Sequence, residues 1–334
     1  MIGTPPSDPV QRYTRGFGGL VAGDTAIGLI DGIRGRLLYR GYDVAELVAH
    51  STFEAVTYLI LFGELPNSTQ LESWSEELRR WRTPPAAAFQ ALAAVPVRAH
   101  PLAQFRTMLT VAACHIPEAE DTSLDAQWRR PARILSWTAS LAAAAIRHLD
   151  GEDPVEPSED LGYSANWLYQ VLGRQAEADE LRAFDARLIG QAEHGLHAAA
   201  LAALVVSSTG ADLGSAVLAG MGALSGARHG GANQLAFEML ADFSTSTEAR
   251  AWARDALARR YRFPGFGHRV YSCPDPRVTA LEPFARSLLA SRGMERRWEV
   301  YAAVREEVES ALGNRGVFAN ADSITGLLYH PMGL

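Results

Sequence analysis

The chain has 334 residues, a length that suits two unequal lobes better than one compact core. Hydrophobic residues make up 48% and charged residues 21%, which excludes large-scale disorder. The formal net charge of -7 excludes a globally basic surface for nucleic acid, so anionic ligands would be bound by local Arg and His clusters.

The predicted elements, in chain order, are almost all helices. Apolar residues around Asp31-Gly32 predict a small β-hairpin within 25–42, and helical spacing begins after Asp43. The helix predicted over 53–62 stops at Gly63. Further predicted helices cover 69–81, 100–113, 133–148, 165–172, 177–206, 211–226, 247–260, 283–289 and 297–312. About a dozen helices predict an all-α fold and disfavour doubly wound sheets.

Small residues and the scarcity of cysteine give two further expectations. The ranges 177–206 and 211–226 are rich in Gly, Ala and Leu, which predicts a buried central pair of helices. The longest apolar run, 198–206, is too short to span a bilayer. Cys114 and Cys273 have no metal or disulfide spacing, so we expect a cytoplasmic protein with no membrane partner.

Polar side chains that could act in catalysis occur in a few short segments, three of which place histidine beside glycine. These are EHGLH at 193–197, RHGGAN at 228–233, GFGHRVY at 265–271, DPR at 275–277 and NAD at 320–322. Histidine can donate to a carbonyl that gains negative charge, arginine clamps carboxylates, and aspartate can be a general base. Together they suit carbon–carbon bond formation by an enolate that attacks a carboxylated carbonyl compound.

Other interpretations of the same residues stay open at this point. A lone histidine beside glycine more often ends a helix than acts in catalysis. His194 and His197 could hold zinc, but no third ligand has a recognisable spacing, so we predict no metal. Gly220, Gly222 and Gly226 faintly resemble a dinucleotide loop, although no strand precedes them and helix packing explains them better.

The joint occurrence and order of these segments resembles the citrate synthase family over nearly the whole chain. IDGIRGRLLYRGYDVAEL and FEAVTYLILFGELP resemble its N-terminal signature, and AHPLAQFRTML and SANWLYQVLG resemble two of its helical segments. HGGAN, NADSITG and GFGHRVY followed by DPR resemble its active-site blocks, the last being the most specific. The resemblance implies a citrate synthase-like, two-lobed all-α fold with a small N-terminal β-hairpin. It implies a large domain over 1–229 and a small domain over 230–325.

The resemblance implies three catalytic residues. Asp322 would remove a proton from the methyl group of acetyl-CoA, and His229 would donate a hydrogen bond to the thioester oxygen. His268 would polarise the ketone of oxaloacetate. Water would then hydrolyse the citryl thioester and free CoA.

The resemblance also implies the substrate-binding residues and the assembly. His194 and Arg277 would hold the carbonyl and carboxylate groups of oxaloacetate, and Arg269 would add positive charge. No metal and no cofactor besides the acyl-CoA substrate is expected. The partners would be oxaloacetate, an acyl-CoA and a second copy of the chain in a homodimer.

Four departures from the family pattern leave the function open between three possibilities. Ala199 replaces a supporting serine, Arg228 precedes the expected catalytic histidine, and Ser272 replaces a basic residue for CoA phosphates. The sequence ends at Leu334, so the rest of the large domain, with arginines for the oxaloacetate carboxylates, is expected to be missing. The possibilities are a citrate synthase, a 2-methylcitrate synthase using propionyl-CoA, and a diverged paralogue without synthase activity that acts as a binding or partner subunit.

Overall fold

The computed structural model describes residues 23–116, 124–226 and 230–334, with the side chains of the second range described from residue 128. These residues contain fifteen α-helices and one small sheet, so the predicted all-α fold with an N-terminal hairpin is confirmed. None of the described helices combines the length and apolarity that crossing a membrane requires.

The predicted hairpin forms the first two strands of a three-stranded antiparallel sheet. Strands β1 (Gly28–Asp31), β2 (Arg36–Tyr39) and β3 (Tyr42–Asp43) lie in chain order, with Leu29 opposite Leu38. The Asp31 carboxylate accepts the backbone N–H of Arg34 over 2.9 Å and so shapes the turn. The third strand is an addition that the sequence did not predict.

The helices follow one another with short connections. They are α1 (Val44–His50), α2 (Phe53–Phe62), α3 (Ser68–Arg80), α4 (Ala86–Ala93), α5 (Pro101–Ala113), α6 (Leu124–Leu149), α7 (Tyr163–Leu172), α8 (Ala178–Gly190), α9 (Ala198–Ser207), α10 (Leu213–Leu224), α11 (Ala232–Ala241), α12 (Ser246–Ala258), α13 (Pro276–Ser291), α14 (Glu295–Leu312) and α15 (Ala321–Tyr329). Single 3₁₀ turns follow α14 and α15.

Local signals explain several helix ends. The Thr52 side chain caps the start of α2, and Gly63 ends this helix in the left-handed conformation, as predicted. Thr245 and Glu248 form a reciprocal capping box at the start of α12. α13 passes through Pro283, where the predicted helix began, because the buried residues on both sides of this proline hold it in one core.

The range 177–206 is two helices, which corrects the prediction of one. Gly195 adopts a left-handed backbone with φ of +68°, and His197 caps α9 by accepting the N–H of Ala200 through Nδ1. α9 and α10 pack against each other, but Leu204 and Val205 are 46% and 56% exposed. The expectation of a buried central pair is therefore wrong for the isolated chain.

The main hydrophobic core lies where α8, α13 and α15 pack against one another. The sheet contributes Leu37 and Tyr39 to this core, and α14 contributes Tyr301. A second cluster lies among α4, α5, α6 and α10, around Leu141. The division into domains over 1–229 and 230–325 stays a prediction.

Candidate active site

Two glycine-containing segments pair with each other and bring the His268 loop to the start of α15. Asn320 donates its backbone N–H to the carbonyl oxygen of Gly265 over 2.9 Å, and Gly267 donates to that of Phe318 over 2.8 Å. The Asn320 side-chain amide donates to the Gly267 carbonyl over 2.8 Å. Both glycines have left-handed backbones, with φ of +77° and +82°, which other residues rarely adopt. The segments at 265–267 and 318–320, which are far apart in the sequence, therefore form one structural unit.

A buried ion pair joins this loop to α13 and α15. Asp275 caps α13 by accepting the backbone N–H of Arg277 over 3.0 Å, and it also accepts Nε and Nη2 of that arginine over 2.9 and 2.6 Å. Its second oxygen accepts the N–H of Ala321 over 3.3 Å. Burial opposes the charge of Asp275, but the hydrogen bonds and charge of Arg277 outweigh burial and hold the Asp275 pKa below its usual value. The pair thus connects Arg277 to α15.

His194, His268 and Tyr271 form a cluster of rings next to this ion pair. The centroids of the two histidine rings lie 5.1 Å apart, and His194 Nε2 lies 3.3 Å from the Tyr271 hydroxyl. Burial, followed by the charges of Arg277 and His268, lowers the His194 pKa to about 3. Burial, followed by the charge of Arg277, also lowers the His268 pKa. Both rings are therefore neutral near pH 7.

Hydrogen bonds to the backbone fix the tautomer of His268. Its Nδ1 accepts the N–H groups of Val270 and Tyr271 over 3.0 and 3.2 Å. A ring nitrogen that accepts hydrogen bonds carries no proton, so the proton of the neutral ring lies on Nε2. His268 therefore offers a neutral N–H donor, which can stabilise negative charge on a carbonyl oxygen.

The N-terminal hairpin closes one side of the same loop. The Gly32 carbonyl accepts the N–H of Ser272 over 2.9 Å, and a Cβ atom on Gly32 would lie 2.1 Å from the Val270 carbonyl oxygen. The turn therefore approaches more closely than any side chain would permit. The Tyr39 hydroxyl donates to the carbonyl of Ile189 over 3.0 Å and ties β2 to α8. Ser272, where the resemblance leads us to expect a basic residue, thus lies in the contact with the hairpin.

Asp322 lies in the first turn of α15, where the helix dipole favours a negative charge. Asn320 caps this helix, and its Oδ1 accepts the N–H of Asp322 over 2.9 Å. Ala321 and Ser323, on either side, are buried, so the backbone fixes the place from which the carboxylate projects.

The structure gathers His194, His268 and Arg277 around one loop and joins that loop to the helix that carries Asp322. Arg269 lies exposed on the same loop. The roles of these residues stay predictions.

The remaining predicted positions lie elsewhere or outside the described residues. His229 and Arg228 are among the residues that the structure does not describe. Gly230, the next residue, would place a Cβ atom 2.4 Å from the Leu224 carbonyl oxygen, which explains a glycine after this histidine. Ala199 is buried in the first turn of α9.

Sequence reasoning missed three residues of this site and a buried arginine on the adjacent helix α8. Tyr271, Asp275 and Asn320 belong to segments that it singled out, but it gave them no role. It overlooked Arg187 altogether, although a signal exists. Arg187 lies three and four residues after Phe184 and Ala183, which are buried, and so occupies the core-facing side of α8.

Comparisons with known proteins agree on one family. The family model described as "Citrate synthase, C-terminal domain" matches residues 16–334. A 2-methylcitrate synthase from Mycobacterium tuberculosis is 33% identical over 329 residues, which cover 98% of this chain and 82% of that protein. A citrate synthase from Haloferax volcanii is 34% identical over 325 residues, covering 96% and 85%.

Solved structures give the same result. A citrate synthase from Pyrobaculum aerophilum matches with a TM-score of 0.88 and 30% identity, covering 98% of this chain and 87% of that one. A ternary complex of carboxymethyl coenzyme A and oxaloacetate with a Thermoplasma acidophilum citrate synthase matches with a TM-score of 0.90 and 25% identity, covering 97% and 86%. The chain therefore belongs to the citrate synthase family of acyltransferases.

Proposed function

We propose that this protein condenses the acetyl group of acetyl-CoA with the ketone of oxaloacetate and releases citrate and CoA. The observation that supports this most is the neutral His268 with its Nε2–H donor, set in a cluster with His194 beside Arg277. A carbonyl-directed donor next to an arginine suits a 2-oxo acid, which carries a ketone and a carboxylate side by side. The solved Thermoplasma acidophilum relative binds carboxymethyl coenzyme A and oxaloacetate.

In the proposed first step, Asp322 removes a proton from the methyl group of the thioester and generates an enol. The hydrogen bond from its backbone N–H to the Asn320 side chain fixes the backbone of Asp322 in the first turn of α15. His229 is proposed to donate a hydrogen bond to the thioester oxygen as the enol forms. A general base of this kind contributes about 10²–10⁴-fold to the rate.

In the proposed second step, the enol carbon attacks the ketone carbon of oxaloacetate. His268 donates from Nε2 to the ketone oxygen, while His194, Arg277 and Arg269 bind the carbonyl and carboxylate groups. Water then hydrolyses the citryl-CoA thioester. These side chains supply each polarising and proton-accepting group, so the proposal needs no metal and no cofactor besides the CoA thioester.

Propionyl-CoA is a second candidate substrate, which would make the product 2-methylcitrate. It is favoured by relatives named 2-methylcitrate synthase from Mycobacterium tuberculosis and Corynebacterium glutamicum, each 33% identical over 329 residues. The two thioesters differ by one methylene, and a hydrophobic pocket discriminates such a pair by about 10–200-fold.

The test is free-thiol release from each thioester, with and without oxaloacetate, and mass analysis of the product. Release that requires oxaloacetate supports the proposal, and the thioester with the higher kcat/KM identifies the substrate. No release from the folded protein at high enzyme and substrate concentrations would refute it and would favour the paralogue without synthase activity.

We further propose that the protein is a cytoplasmic homodimer. α9 and α10 together present an exposed apolar surface that includes Leu204, Val205 and Leu213, and a second copy would bury it. The two free cysteines, Cys114 and Cys273, support a reducing compartment. Analytical ultracentrifugation should show a dimer for the wild type and a monomer for Val205→Glu. A monomeric wild type would contradict the assembly.

A further inference from the structure

Arg187 is a buried cation at the point where α8, α13 and α15 pack against one another. The residue is 7% exposed, and its Nε is enclosed without a hydrogen bond to any described residue. No ion pair joins it to a carboxylate in the ranges that the structure describes. Its guanidinium carbon lies 5.8 Å from the centre of the Tyr329 ring.

A buried arginine without a carboxylate partner is costly, because the guanidinium loses its water and stays protonated. Burial lowers the Arg187 pKa, the charges of Tyr329 and Asp322 raise it, and the charge of Arg277 lowers it again. Arg187 therefore lies within electrostatic range of the proposed base and of the proposed carboxylate-binding arginine, on the helix that packs against the two helices that carry them. An anionic ligand that enters between these groups would supply the missing partner.

The net charge of the groups around Arg187 indicates which ligands the site can bind. Arg187 and Arg277 balance Asp275 and Asp322, and the neutral His194 and His268 add nothing near pH 7. Without Arg187 the other three charged groups would carry one net negative charge, and Arg269 on the His268 loop would bring the site only to neutrality.

The hydrogen bonds between Arg277 and Asp275 also indicate that a dicarboxylate needs a second cation. Asp275 occupies its Nε and Nη2, so this guanidinium offers only part of its donor fork to a ligand. A dicarboxylate such as oxaloacetate has a second carboxylate that needs its own cation.

We propose that Arg187 is a substrate-binding residue that holds a carboxylate of the 2-oxo acid alongside Arg277. This inference rests on the proposed function and adds the residue that selects a dicarboxylate. Two other roles for Arg187 make different predictions: a structural contact with Tyr329, and an electrostatic effect on Asp322 alone.

The experiment compares Arg187→Met and Arg187→Lys with the control Arg182→Met. Arg182 lies on the same helix, five residues earlier, and donates to the carbonyl of Ala49 over 2.7 Å, away from the ring cluster. Calorimetric titration with oxaloacetate, without a thioester, measures binding independently of turnover. Steady-state assays then give KM for each substrate and the preference for oxaloacetate over pyruvate, which lacks the second carboxylate.

We expect Arg187→Met to weaken oxaloacetate binding by about 10- to 100-fold, the usual effect of losing a hydrogen bond to a charged group. KM for the thioester should change by less than about threefold, and the preference for oxaloacetate over pyruvate should fall by the same factor as the binding. Arg187→Lys should retain part of the affinity, and Arg182→Met should bind like the wild type. The urea midpoint of Arg187→Met should not fall, because the substitution removes an unpaired buried charge.

Unchanged oxaloacetate affinity in Arg187→Met would overturn the inference. A lower kcat with unchanged affinity would assign Arg187 to Asp322 instead, and a lower urea midpoint with unchanged affinity would assign it to the contact with Tyr329. Wild-type protein that binds oxaloacetate but releases no thiol would refute the proposed condensation, while the binding data would still decide the role of Arg187. Wild-type protein that does not bind oxaloacetate would refute both.

Discussion

Removing the charge of Asp275 should destabilise the protein strongly. Its side chain is 1% exposed and accepts four hydrogen bonds, three from Arg277 and one from Ala321. Asp275→Asn keeps the shape, but its amide nitrogen replaces one of the two acceptor oxygens with a donor, and the neutral side chain leaves the buried charge of Arg277 unpaired. Breaking a buried pair in this way costs about 3–5 kcal/mol.

A matched control separates the stability that comes from burying an ion pair from the stability that an exposed ion pair provides. Asp255 pairs with Arg259 at an N···O distance of 2.6 Å, the same as that between Asp275 and Arg277, but both partners are 65% exposed. Asp255→Asn should therefore lower the free energy of unfolding by less than about 1 kcal/mol. Urea unfolding followed by circular dichroism, at one protein concentration, gives both values.

The pH dependence gives a second check on Asp275. Because its pKa is lowered in the folded protein, the carboxylate contributes its stability above the unfolded value of 3.8. That contribution is lost as the pH falls through the lower folded value, so the gap between wild type and Asp275→Asn should narrow below about pH 4. A loss in Asp275→Asn no larger than in Asp255→Asn would refute the view that this buried pair organises the site.

Three further substitutions test individual features of the fold and site. Gly265→Ala should lower the urea midpoint more than Gly293→Ala, because both positions have positive φ but only a Cβ atom at 265 would lie 2.9 Å from Ser323 Cα; equal midpoints would contradict this. Burial raises the Asp185 pKa to about 6, so the folded state retains a proton that the unfolded state loses near 3.8, and the contribution of Asp185 to stability should fall as pH rises between these values. The difference in unfolding free energy between wild type and Asp185→Asn should change in that sense, and a difference that does not depend on pH would count against the buried carboxyl. The His194 pKa of about 3 lies below its unfolded value of 6.5, so the contribution of His194 has the opposite sign and falls as pH falls between these values. The difference between wild type and His194→Gln should follow that dependence, and a difference that is the same at every pH would disprove it.

The sequence predicted the elements that local signals define. The range 53–62 matches α2 at both ends because a threonine cap and a left-handed glycine mark them. The division of 177–206 was missed because the break depends on Gly195 and on the cap at His197, within a sequence that is rich in helix formers throughout. Continuation of α13 through Pro283 depends on core packing, which no local signal reveals.

The candidate site was predictable to the extent that its residues lie in recognisable segments. GFGHRVY, DPR and NAD drew attention to His268, Arg277 and Asp322, and the structure joins these segments through backbone hydrogen bonds and Asp275. Arg187 was not predictable as a site residue, because its spacing indicates that it faces the core but not which side chains of the helices packed around α8 lie near it. The family and fold predictions are confirmed, whereas the role of each residue stays a prediction.

The most direct test of the account compares oxaloacetate-dependent thiol release from acetyl-CoA by the wild type and by Asp322→Asn. Oxaloacetate-induced protection against thermal unfolding is measured on both proteins, so that binding and chemistry are separated. We predict release by the wild type, a loss of about 10²–10⁴-fold in the variant, and protection in both. Undiminished release by Asp322→Asn, or no release by a folded wild type that oxaloacetate protects, would contradict the account.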